Sequence, residues 1–240
     1  MNIILALAQS GQPGWLDEFL SALHKNLIVG DRWMQYLNGL SITLRISFFS
    51  LLFGTIIGVI VCFMRLSRFK VVRGIAITYI DILRGTPSMV QLMIIFYVIL
   101  SPMRINREIS AIVAFAINSS AYISELFRAG ILAVDHGQTE AGRSLGMSGF
   151  KTSFFVVVPQ AIKNCFPSYI NEVSTLIKET AIVGYIAIND ITKIADTIRS
   201  RTYEAFFPLI ITAIIYYIIV KTVASLLSVL ERRMRKSDKR

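Results

Sequence analysis

The sequence predicts an all-α integral membrane protein with five transmembrane helices, a short cytoplasmic helix and an N-terminal amphipathic helix on the outer face. Three observations carry that prediction. Hydrophobic residues make up 54% of the chain and charged residues 17%, well short of the quarter or so that an aqueous surface needs. Several uncharged runs approach the roughly 20 residues that a helix needs to cross a hydrocarbon core. Lys and Arg outnumber Asp and Glu by 25 to 15, for a formal charge of +10. On so apolar a chain, a basic excess fits cytoplasmic loops and does not suggest nucleic-acid binding. Disorder and a disulfide scaffold are excluded, because Cys62 and Cys165, the two cysteines, lie in apolar stretches.

Residues 1–36 read as an external amphipathic segment. Met1 to Ala8 is apolar but lacks a basic n-region and is too short for a signal peptide. Leu16, Phe19, Leu20, Leu23 and Leu27 recur at helical spacing, which suits a helix lying on the outer membrane face. Trp15, Trp33 and Tyr36 suit the interfacial belt. Residues 37–235 form the membrane domain, and 236–240 a basic cytoplasmic tail.

The first span covers 46–64, a run of 19 uncharged residues between Arg45 and Arg65. A second amphipathic piece, 69–83, follows; its charges make it unsuitable as a full span. The Gly85-Thr86-Pro87 break should end that helix and start the second span near Pro87, since proline fits a helix's first turn. That span runs over 85–103, the third over 109–134 and the last over 205–230. Between the last two, 154–188 is apolar but interrupted by Pro159, Lys163, Pro167, Glu172, Lys178 and Glu179. Because proline breaks the hydrogen-bond ladder, the early part is expected to be a re-oriented lead-in, with the span itself over about 166–186. Segments after the first and third spans, with the tail, hold more Lys and Arg than the alternate set. The N-terminus is therefore expected outside and the C-terminus in the cytoplasm.

Residues 137–144 read GQTEAGRS, close to a phosphate-cradling loop, but Arg143 stands where that loop needs lysine and no buried strand precedes it. Neither ATP nor another cofactor is expected on this chain. His24 and His136 have no Cys, Asp or Glu cluster at ligand spacing, so no metal site is expected. No catalytic constellation stands out either, and the chain is not expected to be an enzyme.

Intramembrane polarity is the informative signal. Asn118, Tyr122 and Glu125 fall at i, i+4 and i+7 on one face of the third span, flanked by Ser119. Glu172 and Glu179 are likewise seven apart. An ionised side chain facing lipid costs roughly 2.5–3.5 kcal/mol, so these groups should face a bundle interior or a wet cavity. Asn118, Ser119, Tyr122, Glu125 and Glu172 are the expected lining of a solute path. Ion pairing is the competing role, most plainly for Glu125 with Arg128 at i+3. Gly54 and Gly58 form a GxxxG pair suited to close helix packing, within the chain or with another subunit. Residues 137–145 suit a short surface helix that exposes Glu140 and ends at Gly146.

The segment Glu140 to Pro159, EAGRSLGMSGFKTSFFVVVP, resembles the EAA loop of ATP-binding-cassette importer permeases. Glu140, Ala141, Gly146 and Pro159 fall at matching spacing, with Val156 and Val158 in the aliphatic places and Gly142 replacing the second alanine. Arg84-Gly85-Thr86-Pro87 with Val90-Gln91-Leu92, and Ser120-Ala121-Tyr122 with Glu125, Arg128, Gly130 and Ile131, resemble runs of polar amino-acid permeases. So do Pro159-Gln160-Ala161, Lys178-Glu179-Thr180-Ala181 and Glu231-Arg232-Arg233.

The resemblance implies a permease subunit in a prokaryotic cell membrane, paired with a second copy or a homologue. It implies cytoplasmic ATPase subunits that bind ATP and Mg, and an extracytoplasmic amino-acid-binding protein. Glu140, Ala141, Gly142, Leu145 and Gly146 would form the ATPase-docking EAA coupling helix. The alternative is a stand-alone secondary transporter or channel that uses the intramembrane carboxylates.

Overall fold

The computed structural model describes residues 14–236, and they are almost entirely helical. The stretch Met1 to Ala8 and the tail beyond residue 236 lie outside them. Helix α1, Trp15–Leu27, carries Asp17 and Glu18 in its first turn and His24 and Lys25 in its last, matching the helix dipole at both ends. A turn through Gly30 (φ 68°) and Asp31 (φ 52°) leads into α2, Arg32–Arg65. This helix has 34 residues and runs unbroken across positions 36–37. Tyr36 is therefore not in an interfacial belt. It is 3% exposed and packs with Ile191, Ile194, Ala195 and Ile198 of α9, Ile191–Thr202.

Helix α3, Lys70–Gly85, and α4, Ser88–Met93, meet at the expected break, with Pro87 as the cap just before α4. Through a π-helical turn, Ile94–Leu100, and a 3₁₀ turn, the chain continues to Met103; the two arms meet at 107°. Gln91 holds the bend. Its side-chain nitrogen donates to the Leu83 carbonyl at 2.8 Å and to Thr86 Oγ1 at 2.7 Å. Its Oε1 accepts from Asn118 Nδ2 at 2.8 Å, which ties the bend to α5, Arg107–Leu132.

After α5 come the surface helix α6, His136–Ser144, and the short α7, Gly149–Thr152. A π-helical turn, Ser153–Val157, feeds α8, Val158–Glu179, which passes into a 3₁₀ stretch, Thr180–Ile186. The helix starts at Val158 and not near 166. Pro159 lies in the first turn, where a missing N–H costs nothing, and Pro167 is carried inside the helix. Helix α10, Phe206–Lys236, closes the bundle.

Three helices are long and apolar enough to cross a membrane alone: Val29–Arg65, Arg107–Leu132 and Phe206–Met234. The bent α3–α4 pair makes up to four. Helix α8 is not among them; its polar residues hold its apolarity down.

Helix α5 packs closely along α2 because Gly54 and Gly58 present no side chain at the contact. A Cβ on Gly54 would collide with Ser119 Oγ, and one on Gly58 would sit 2.9 Å from Ile123 Cγ2. The GxxxG pair thus serves packing inside the chain. At the opposite end of α2, α9 seals the bundle. Its cap, Asp190, is fully buried and accepts from the backbone N–H of Thr192 (3.1 Å) and Lys193 (2.9 Å). Burial raises the Asp190 carboxyl above its ordinary range, against the lowering effect of those cap bonds. Helix α1 docks on α10 through Phe19 and Phe207, with ring centroids 5.2 Å apart, and through Glu204. Glu204 takes Lys25 Nζ at 2.8 Å and the Asn26 side-chain amide.

Overpacking costs about 1–3 kcal/mol at tight contacts, so Gly58→Val should lower the thermal midpoint in detergent, read by tryptophan fluorescence, while Gly74→Val, where a Cβ meets open space, should not. Hydrogen bonds from Lys25 and Asn26 hold the Glu204 carboxyl below its ordinary range. Its stabilisation is therefore complete above the unfolded carboxylate value of about 4.3 and fades as pH falls through the lowered folded value. The midpoint difference between the native chain and Glu204→Gln should accordingly shrink as pH is taken from about 7 to about 3.

Candidate functional site

Helices α3, α5 and α8 surround a cavity of about 450 Å³ whose walls are mostly polar. Arg84 reaches it from the last turn of α3, and Tyr122, Glu125 and Arg128 from α5. Ser168, Asn171, Glu172 and Thr175 enter from α8. The spacing explains each wall: positions three and four apart share a helix face, and the α3–α4 bend swings Arg84 toward α5. The Arg84 guanidinium lies 5.3 Å from the Tyr122 ring centroid, within cation–π range.

The two cavity carboxylates differ in their partners. Glu125, with a side chain 17% exposed, is gripped by two arginines. Arg128 donates through Nη2 at 2.7 Å and through Nε at 3.0 and 3.1 Å, and Arg65, from the end of α2, lies 3.5 Å away. Glu172 makes no hydrogen bond or ion pair among the described residues, nor does Arg84. Below and above Glu172, α8 exposes Asn164, Ser168, Asn171, Thr175 and Lys178. That spacing of four, three, four and three draws one polar stripe along the helix.

Of the residues expected to line a solute path, Tyr122, Glu125 and Glu172 meet at this cavity. Asn118 does not; it is buried and engaged with Gln91 at the bend. Ser119 is fully buried on the side of α5 that faces Gly54. Arg84, Ser168, Asn171 and Thr175 were not anticipated. The α8 stripe was readable from its spacing, whereas nothing local to Arg84 signals its contact with Tyr122, 38 residues further along.

On the surface, α6 is capped by Asp135, whose carboxylate accepts from the Gly137 N–H at 2.7 Å. The decoy loop 137–144 is therefore helical. Glu140 and Ala141 face outward, and Leu145 is 84% exposed. Gly146, at φ 80°, ends the helix, with its N–H on the Arg143 carbonyl at 3.0 Å and the Met147 N–H on the Gly142 carbonyl at 3.1 Å. Gly142 faces inward, where a Cβ would lie 2.7 Å from Thr152 Cγ2. Alanine does not fit there, which accounts for the departure from the EAA pattern. Phe150, in α7, is likewise exposed, at 78%.

Residues 33–236 match the family described as "Binding-protein-dependent transport system inner membrane component". The putative glutamine transport system permease protein GlnP of Rickettsia conorii is 38% identical over 200 residues, covering 82% of this chain and 91% of that protein. The arginine transport system permease protein ArtQ of Bacillus subtilis is 39% identical over 204 residues, covering 84% and 93%. Among solved structures, an amino acid ABC transporter with histidines superposes with a TM-score of 0.77 at 43% identity, over 83% of this chain and 94% of that one. The inward-facing MetNI methionine ABC transporter shares the fold, with a TM-score of 0.74 at 19% identity, over 86% and 99%.

Removing the carboxylate that two guanidinium groups share leaves positive charge unanswered in a partly buried site. Glu125→Gln should cost about 1–3 kcal/mol of stability. Adding Arg128→Met should recover a large part of that loss, as read by thermal midpoints in detergent.

Proposed function

The chain belongs to the family of inner-membrane components of binding-protein-dependent transport systems, and on that footing we propose that it is the transmembrane permease subunit of an ATP-driven importer of polar amino acids. A single observation carries this reading: the polar cavity between α3, α5 and α8, continued by the exposed polar stripe of α8. Lipid does not tolerate such a stripe, since a lysine at mid-bilayer costs roughly 2.5–3.5 kcal/mol on insertion scales. Water or a second permease copy covers it. The solute path runs along this face, with Tyr122, Glu125 and Glu172 on its wall and Asn118 and Ser119 in the packing behind them.

Counted with the bent α3–α4 pair and the polar α8, the chain crosses the membrane five times, N-terminus outside and C-terminus in the cytoplasm. Helix α6 is the coupling element. Glu140, Ala141 and Leu145 present an exposed face to a cytoplasmic ATPase subunit, while Gly142 and Gly146 shape its seat and its end. ATP and Mg are held by that partner. An extracytoplasmic binding protein delivers the amino acid, and nucleotide state shifts the balance between inward-facing and outward-facing forms. A stand-alone secondary transporter fits less well, because the family matched over residues 33–236 and the relatives named are components of binding-protein-dependent or amino-acid transport systems.

Co-expression with the ATPase subunits and reconstitution with the binding protein test this directly. Uptake of a radiolabelled polar amino acid should require ATP. Glu140→Lys should weaken co-purification of the ATPase by about tenfold, or about 1.4 kcal/mol, and depress uptake while leaving membrane insertion intact. Uptake driven by an ion gradient without any ATPase, or full ATPase association by Glu140→Lys, overturns the reading.

A further inference from the structure

Arg84 and Glu172 are opposite charges on the walls of one cavity, yet they do not pair with each other. Among the described residues no carboxylate lies within ion-pair distance of the Arg84 guanidinium, which lies over the Tyr122 ring. Glu172 has no donor within reach among the described residues. Opposite charges on two walls of one cavity, neither of them ion-paired, keep their attraction for groups of opposite sign. The group that answers both at once carries an anion and a cation a few ångströms apart.

The third and fourth charges behave differently. Arg128 and Glu125 satisfy each other, and Arg65 adds a second cation to the same carboxylate. Glu125 thus has no charge to spare for a cationic side chain, and the arginines around it oppose one.

Building on the permease reading above, we propose that Arg84 and Glu172 clamp the α-carboxylate and the α-ammonium of a zwitterionic amino acid, and that the cavity favours an uncharged polar side chain over a cationic one. Arg84 donates to the carboxylate, and Glu172 accepts from the ammonium. The side chain lies toward Ser168 and Asn171 of α8, whose neutral groups match an amide or a hydroxyl. A cavity of about 450 Å³ has room for such a molecule. The intramembrane carboxylates therefore do not by themselves mark a carrier of cationic substrates.

Binding to the purified permease–ATPase complex in nanodiscs tests the clamp, with tritiated L-glutamine and L-arginine as probes. L-glutamine should bind at least about tenfold more tightly than L-arginine, and Glu172→Gln should weaken L-glutamine by a similar factor. The α-carboxamide of L-glutamine, which lacks the anion, should bind the native complex at least about tenfold more weakly than L-glutamine does. In Arg84→Gln that discrimination should vanish, and in Arg84→Lys part of it should remain. Because the carboxamide comparison sets two ligands against one protein, partial misfolding of Arg84→Gln does not mimic the loss of discrimination. L-arginine binding as tightly as L-glutamine, undiminished discrimination in Arg84→Gln, or no L-glutamine binding at all overturns the clamp. Should ATP-dependent uptake of any amino acid persist in those cases, the clamp fails while the permease reading stands.

Discussion

Charge in a low-dielectric slab is the constraint on which the bundle depends. Each ionised side chain among the spans must meet a counter-charge, water or another protein surface, because exposure to lipid costs roughly 2.5–3.5 kcal/mol. Glu125 meets the constraint with two guanidinium groups, from α2 and from its own helix. Glu172 and Arg84 meet it by facing a shared cavity. The same constraint leaves Phe48, Leu52, Ile56, Ile60 and Phe63 outside, a run of apolar residues exposed along α2. Charges gathered at a cavity and apolar residues left on the outside of α2 both follow from the surrounding solvent.

Such an interior is possible only where backbones come close and stay in register. Gly54 and Gly58 let α5 lie against α2, and Gly130 lets α8 approach so closely that a Cβ there would sit 2.6 Å from the Ala161 carbonyl. Gln91 and Asn118 then hold the α3–α4 bend to α5 with hydrogen bonds among groups that are themselves buried. That network has a mechanical consequence: Arg84, in the last turn before the bend and over Tyr122, lies between Leu83 and Thr86, the two residues that Gln91 binds. A change at Gln91 is felt at the cavity without touching it.

The surface helix α6 obeys an economy of space. Its inward side is reduced to Gly142 so that Thr152 can pack against it, and its outward side is left free. The π-helical turn after α7 carries the chain from that seat into α8, the helix that bears the polar stripe. Motion imposed on α6 therefore has a short covalent route to the cavity wall.

Much of this was legible in the chain itself. Uncharged runs located α2, α5 and α10, the Gly-Thr-Pro break located the bend, and the Glu125–Arg128 pair followed from helical spacing. These are local facts, set by the reach of a side chain along its own helix. Tyr36 was misplaced by the same local logic, since its amphipathic neighbourhood suits an interface until α9 covers it. Pro159 reads as a breaker in the sequence, yet its place in the first turn of α8 makes it harmless. Arg65 joining Glu125 across 60 residues, and Arg84 meeting Tyr122, have no sequence signature, because the distance between two helix faces depends on crossing and bend angles that side-chain periodicity does not encode. Periodicity says which way a residue points along its helix; packing alone settles what it finds there.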